Sequence, residues 1–409
     1  FVLKIALNKI EIHLVLGNTN TVFNELKRFN FKESPNSGIS NKFHFLVVKN
    51  YVAIQDYQKS LSYINDNSNK ITNRFYKNNL DIYNLDSLRL LNKHKQFEEK
   101  AHQLLQNFQN THEEYFTSKI LKILGAYYFQ RSNYDKALEY YKTNYKIVLN
   151  LKDNLLIQHT VHNIGIAYFH QGNRKKANIM YLKSLEIAEK IGNKQECSRI
   201  YSDLASVLTK EGKTDEAIYN YQKSLGLAKE VGNRMQEGLV LYNIAEIHFS
   251  LGNYEKSLKY LEGSRKICEN ISDIVGLTYA NDLYGDILFA LKRMNEAEDV
   301  YNENLKLQEK LEDIGGIAHT YGNLGRIASN RIDYKTAEEY YRKQQNILSD
   351  IGDKEGEGKA FFNWATMEKS RKRNKRALRM LQKALILFEE SSFQKGIYLT
   401  SKLIEQLKK

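Results

Sequence analysis

The sequence predicts an all-α chain, a solenoid of stacked antiparallel helix pairs. Three observations carry that prediction. A position restricted to glycine or alanine recurs every 40 residues. Only one proline, Pro35, occurs among 409 residues, which leaves the turns to Gly, Asn and Asp. The stretch HNIGIAYFHQGNRKKA, His162 to Ala177, reads as two helices either side of a Gly-Asn turn.

The first helix of each unit carries the small position. Steps of 40 through Gly165 give Gly125, Ala205, Ala245, Gly285, Gly325 and Ala365. An interior glycine costs a helix roughly 1 kcal/mol against alanine. Close approach of the paired helix is the gain expected to offset that cost. The short turn that follows, as in QGN or LGN, opens the second helix. There Ala177 belongs to the series Ala137, Ala217, Ser257, Ala297, Ala337 and Ala377. One turn further, Tyr181 belongs to Tyr141, Tyr221, Leu261, Tyr301, Tyr341 and Leu381, large side chains expected to fill the adjoining hole. Asp153, Asn193, Asn233, Asp273, Asp313 and Asp353 mark the turn to the next unit, with Gly or Asn supplying a left-handed cap and Asn or Asp an N-cap. Self-similarity at such a period is the mark of a repeat architecture.

These residues resemble the tetratricopeptide repeat, which pairs a small residue and an aromatic on its first helix with Ala, then Tyr or Phe, on its second. NIGIAYFHQGNRKKANIMYLKSL, NIAEIHFSLGNYEKSLKYLEGS and NLGRIASNRIDYKTAEEYYRKQ carry the pattern. The unit has 40 residues rather than the commoner 34, similar to kinesin light chains and to bacterial Rap-type peptide-sensing regulators. The usual boundary proline is replaced here by Gly-Asn or Gly-Asp. The resemblance implies a right-handed superhelix with the first helices on its concave face. Seven such units are expected over 113–392, with a capping helix over 393–409. Residues 1–112 read as divergent helix pairs of the same kind, broken by the loop KESPNSGIS at 32–40; a separate helical subdomain is the alternative. The chain begins at Phe1 rather than a methionine, which leaves room for a further domain upstream.

Hydrophobic residues make up 42% and charged residues 27%, so the chain folds rather than staying disordered. Cys197 and Cys268 cannot build a disulfide framework and read as small buried hydrophobes in a reducing, cytoplasmic setting. No run is long and apolar enough to span a bilayer. No phosphate loop, HExxH, GxSxG or paired-cysteine motif is present, so neither catalysis nor a cofactor is expected. His159 and His162 stand at a spacing suited to two metal ligands, but no third ligand accompanies them, and the wall of a groove is the plainer reading.

Function is therefore sought on the inner wall, which the resemblance makes the peptide-binding face. Helical phase places Lys119, Lys122, His159, His162, Arg199 and Lys210 in its first part. Tyr242, Glu246, Tyr279, Asp282 and Asp286 follow, then His319, Arg326, Lys359 and Lys369. The wall reads basic, then acidic, then basic, so a protein or peptide ligand with acidic ends would complement it. Asn163, Asn243, Asn323 and Asn363 recur two residues before the small position, with Asp203 among them and Leu283 breaking the series. An asparagine offers a donor and an acceptor to a peptide main chain. The resemblance implies that role, and a ladder tying neighbouring helices is the alternative. The net charge of +13 and the run KSRKRNKRALR at 369–379 point to an acidic partner or, with less support, to nucleic acid, since no stacking aromatics interleave with the run. The leading expectation is a non-catalytic scaffold. The alternatives are a peptide-sensing regulator that changes shape on binding and a basic-surface nucleic-acid binder.

Overall fold

The computed structural model describes residues 2–15, 19–27 and 37–408. It is an all-α helical repeat, and no helix among the described residues is long and apolar enough to cross a membrane. The chain divides into two compact units, 1–196 and 197–409.

The first unit contains α1 (Val2–Val15), α2 (Thr19–Lys27), α3 (Ser37–Ala53), α4 (Tyr57–Asn67), α5 (Arg74–Leu90), α6 (His94–Asn110), α7 (Glu114–Gln130), α8 (Tyr134–Leu151), α9 (Asn154–His170) and α10 (Arg174–Lys190). The loop expected over 32–40 is corrected at its end, because Ser37 already opens α3; residues 32–36, and Pro35 with them, lie outside the described residues. Apolar residues gather in successive local clusters rather than one centre. Leu7, Ile10, Val22 and Leu46 form one, and Phe97, Phe108, Ile120 and Leu124 belong to another.

α11 (Lys194–Lys210) runs across the division. The second unit continues with α12 (Thr214–Glu230), α13 (Arg234–Ser250), α14 (Tyr254–Ile271), α15 (Ile274–Ala290), α16 (Met294–Lys310), α17 (Ile314–Asn330), α18 (Tyr334–Asp350), α19 (Lys354–Ser370), α20 (Asn374–Glu390) and α21 (Gln394–Lys408). Each helix packs on the next, and the first helices also meet one another in the order α13, α15, α17, α19, α21. That second contact makes a continuous wall of first helices in this unit.

The periodic residues explain the packing. Ala137, Ala177, Ala217, Ser257, Ala297, Ala337 and Ala377 are all fully buried. The large residues fill the space the small ones leave, as expected: where the small position is glycine, the tyrosine lies directly over it. A Cβ on Gly165 would stand 2.7 Å from the ring of Tyr181, and one on Gly285 would stand 2.5 Å from Tyr301. At the alanines of α13 and α19 the partner shrinks to Leu261 and Leu381. Close packing thus offsets the cost of the helical glycine, as the sequence implies.

From Asn92 to Ser392 the turns follow a period of 20 residues, one left-handed residue per helix junction, as at Gly172, Gly192, Gly212, Gly232 and Gly252. Asp153, Asn193, Asn233, Asp273, Asp313 and Asp353 each accept a backbone N–H from the first turn of the helix that follows. Such caps stabilise a helix start by about 1 kcal/mol each.

A second polar column escaped the sequence reading. Asn144, Ser184, Ser224, Ser264, Asn304 and Gln344 recur every 40 residues on the second helices and are buried. Ser184 donates to the carbonyl of Gln158, Ser224 to that of Ser198, Ser264 to that of Gly238 and Asn304 to that of Thr278. Each of these bonds staples the two helices of one pair. The same stepping that found the alanines would have found them.

Candidate functional site

The wall of first helices in the second unit carries an acidic centre on α13 and α15. Tyr242 is half-buried, and burial together with Glu246 and Asp282 holds its phenol well above the usual tyrosine range. Tyr279 and Glu246 are exposed. The second helix of the pair helps to fix the two aspartates. Asn304 donates to Asp282 at 2.9 Å, and Tyr301 Oη donates to Asp286 at 2.9 Å. The next first helix supplies cations. His319 Nδ1 stands 3.8 Å from Asp282, and Arg326 Nη1 stands 3.5 Å from Asp286. The acidic and basic stretches of the expected wall are therefore partly paired with each other, a periodic contact across about one repeat, which leaves less charge for a ligand than the sequence suggests.

Arg326 reaches both ways. It lies over the ring of Phe289, 4.5 Å from its centroid, and donates to Asn323 Oδ1 at 3.0 Å. That bond fixes the Asn323 amide with its Nδ2 buried and unpartnered.

A cleft of about 660 Å³ opens beside these residues, between α17, α19 and α21 with α18 and α20 as its floor. It brings together Asn323, Arg326, Lys359 and Asn363 among the expected site residues, with His319. Its apolar surface comes from Leu348, Phe362, Phe388 and Phe393. Gln344 also lines it; its Oε1, like the Oδ1 of Asn144 and Asn304 in the same column, is buried without a hydrogen-bond partner, and its neighbour Gly322 leaves room for the amide. Sequence reasoning missed Gln344 and the α21 residues Lys395, Gly396 and Leu399, because that helix read as a cap only.

The asparagines do not tie neighbouring helices. Asn243 and Asn363 are half-buried, and among the described residues neither makes a side-chain hydrogen bond to another helix. Lys359 is exposed, bonded to Glu355 at 2.5 Å and 4.9 Å over Phe393. Arg199 is exposed on α11.

In the first unit, Asn163 is half-buried and likewise unbonded to a neighbouring helix, and Lys119 donates to Asn79 at 3.2 Å. His159 and His162 both approach Glu196, at 3.9 and 3.8 Å. His162 is a correction: it is 3% exposed and packs edge-on against Tyr181, so it belongs to the core and not to the wall. The position three residues before the small one sits at the rim of the buried stripe, and Ser202 and Gly322 are buried there too. Among the described residues no group of three or more His, Cys, Asp or Glu is placed to hold a metal ion.

The basic run at 369–379 is corrected as a free anion patch. Glu368, fully buried, lies 3.1 Å from Arg371, 3.5 Å from Arg376 and 3.8 Å from Arg373. Glu338 accepts from Arg376 at 2.5 Å. Three of its arginines are thus committed to internal carboxylates.

The geometry agrees with comparisons to known proteins. The family model of the tetratricopeptide repeat matches residues 116–190, 155–230, 196–270 and 273–349. No curated protein sequence matches the chain. Among solved structures, the chain is similar to the apo form of the quorum sensor NprR from B. thuringiensis (TM-score 0.59, 15% identity, 94% of this chain and 98% of that one). It is similar to aspartyl phosphate phosphatase F from Bacillus subtilis (0.56, 14%, 94% and 93%). It is also similar to the Rap conjugation gene regulator of the plasmid pLS20 in complex with the Phr* peptide (0.53, 14%, 86% and 96%). The small–large–cap pattern, the helix pairs it builds and the matched segments agree: the chain belongs to the tetratricopeptide repeat family.

Proposed function

We propose that the chain is a non-catalytic interaction protein that captures an extended peptide segment on the first-helix wall of its second unit. The observation that carries this reading is the cleft between α17, α19 and α21, where Asn323 Nδ2 and Gln344 Oε1 are buried without partners. A buried polar atom left unpaired costs about 1–3 kcal/mol. One donor and one acceptor beside an apolar floor match a peptide unit with its side chain. Asn243 and Asn363 extend the same row of amides, and Tyr242, Tyr279 and Arg326 flank it. A protein partner therefore supplies main-chain amides and an apolar residue, with an acidic group near Lys359 and Lys395.

The test uses peptides eluted from the chain purified from its native source, identified by mass spectrometry and resynthesised. Asn323→Ala/Asn363→Ala is expected to weaken their binding at least roughly tenfold with an unchanged folding midpoint, the loss of hydrogen bonds worth about 1–1.5 kcal/mol. Equal binding by the variant sinks the proposal.

A second reading is peptide-dependent regulation, in which occupancy biases one arrangement of the helices over another. It is supported by the length of the likeness to NprR, a quorum sensor, and to a regulator bound to the Phr* peptide, since both matches extend over most of this chain. Nucleic-acid binding through residues 369–379 has less support, because Arg371, Arg373 and Arg376 face Glu368.

A further inference from the structure

A separate groove of about 730 Å³ lies between α18 and α20, with α19 as its floor. Arg342, Arg376, Arg379 and Lys383 line it against a single carboxylate, Glu357. Two of these cations are already engaged. Arg342 and Arg376 share Glu338, at 3.3 and 2.5 Å. Glu357 accepts from Gln345 at 2.7 Å. Arg379 and Lys383 are exposed one helical turn apart on α20; among the described residues neither has an ion-pair partner, and Lys383 Nζ lies 5.2 Å over the ring of Phe361. Beside them Ile386 is 55% exposed and Leu387 half-buried, over Phe361 and Met380.

We propose that this groove is a second docking site, distinct from the first-helix wall, for an acidic amphipathic segment of a partner protein. Carboxylates one helical turn apart on that segment pair with Arg379 and Lys383, and its apolar residues cover Ile386, Leu387 and Met380. Charge complementarity of this kind sets encounter rate and specificity, and the apolar strip supplies area in the manner of a helix laid in a groove. Single-stranded nucleic acid fits less well. It needs exposed aromatic faces for stacking, yet Phe361 and Trp364 are 8% and 6% exposed, and Glu357 repels a phosphate chain along the groove.

Trp364 makes the test direct. It lines this groove, its indole N–H has no hydrogen-bond acceptor, and it is the only tryptophan of the chain. Its emission therefore comes from one indole at this groove, and the charge-reversed variant separates binding here from changes relayed through the core that Trp364 shares with Phe388. Twelve-residue segments displayed on phage are selected on the full chain, with Arg379→Glu/Lys383→Glu as counter-target, and the winners are resynthesised. The expected winners are rich in Asp, Glu and aliphatic residues and change Trp364 emission saturably. Binding should weaken roughly tenfold or more on charge reversal and on raising salt. Arg379→Gln/Lys383→Gln, which removes charge without inverting it, should weaken binding less. Asn323→Ala/Asn363→Ala should leave the titration unchanged, so failure here and failure of the wall reading are separable. The proposal is overturned by an absence of enrichment over the counter-target, or by winners that bind without moving the emission. It is also overturned if a single-stranded RNA moves the emission at lower concentration than any winner.

Discussion

The ring of Tyr341 lies against the α-carbon of Gly325, so close that a Cβ there would stand 2.8 Å from Cε1 and 2.9 Å from Cδ1. The same relation holds at Gly125 with Tyr141, Gly165 with Tyr181 and Gly285 with Tyr301. Where alanine stands at the small position, leucine faces it at Ala245 and Ala365, while the Ala205 unit keeps its tyrosine and bonds Tyr221 Oη to Ser206 Oγ at 3.0 Å. In six of the seven units small and large thus vary together, because one packed volume is shared between two helices; the Ala205–Tyr221 unit is the exception.

Gly325→Ala is therefore expected to destabilise the fold. Alanine gains about 1 kcal/mol of helix propensity, but overpacking costs about 1–3 kcal/mol. In Gly325→Ala/Tyr341→Leu, which reproduces the Ala245–Leu261 pair, the two changes should compensate, with a coupling energy of about 1–2 kcal/mol in a double-mutant cycle. Urea denaturation of the four proteins measures it. Additive losses would mean that the ring and the glycine are not competing for the same space.

The fold was legible for a physical reason: one contact is repeated, so the sequence repeats the residues that make it. The alanine series, the Asp and Asn caps and the turns all follow from steps of 40. The site was less legible because it sits where the repeat breaks. Gln344 matters because it departs from the stapling bonds of Ser184, Ser224 and Ser264, and the cleft needs α21, a first helix that keeps Gly396 of the 40-residue series but lacks the small residue, since Glu405 stands there. His162 was misread because a helix face predicted from spacing alone has a rim, and a rim position is buried or exposed according to what packs beside it. In this case Tyr181 covers it.

Glu368 supports a test of the basic end. The carboxylate is fully buried, while Arg371, Arg373 and Arg376 retain partial exposure. Removing one partner of a buried ion pair costs about 3–5 kcal/mol when the other charge is stranded. Since these arginines can turn to water, Glu368→Ala is expected to cost less, about 2–3 kcal/mol, read as a lower urea midpoint. A loss below about 0.5 kcal/mol would return the run to a solvated face with no structural role.

His319 predicts a pH dependence. Asp282, as acceptor and as a negative charge, raises the imidazole above its ordinary 6.5, against a smaller opposite pull from burial. Asp286 also raises it, and Arg326 lowers it. A raised folded pKa contributes stability that is fully present below the unfolded value and is lost as pH rises through the folded value. Burial lowers His44 and His248, which act in the opposite sense, so the informative quantity is a difference. The midpoint of the wild-type chain minus that of Asp282→Asn should be larger at about pH 5.5 than at about pH 8.5. A difference that is flat with pH would remove His319 from the account.

Ile332 is the least suited residue at any junction of the second unit. It has φ 65°, where the equivalent Gly212 and Gly252 have 76° and 73°. A β-branched side chain in that region is an outlier, at a cost of roughly 1–2 kcal/mol for any L-residue with a Cβ. The backbone bond from Ile332 N–H to the Ser329 carbonyl, at 3.1 Å, survives substitution, and the side chain is 71% exposed, so little burial is forfeited. Glycine loses about 0.4–1 kcal/mol through the greater freedom of the unfolded chain. Ile332→Gly is therefore expected to stabilise by about 0.5–1 kcal/mol, as a higher urea midpoint at unchanged slope. Ile332→Val, which keeps the branch, should do nothing comparable. If glycine lowers the midpoint instead, the isoleucine holds the junction by packing and the turn is not strained.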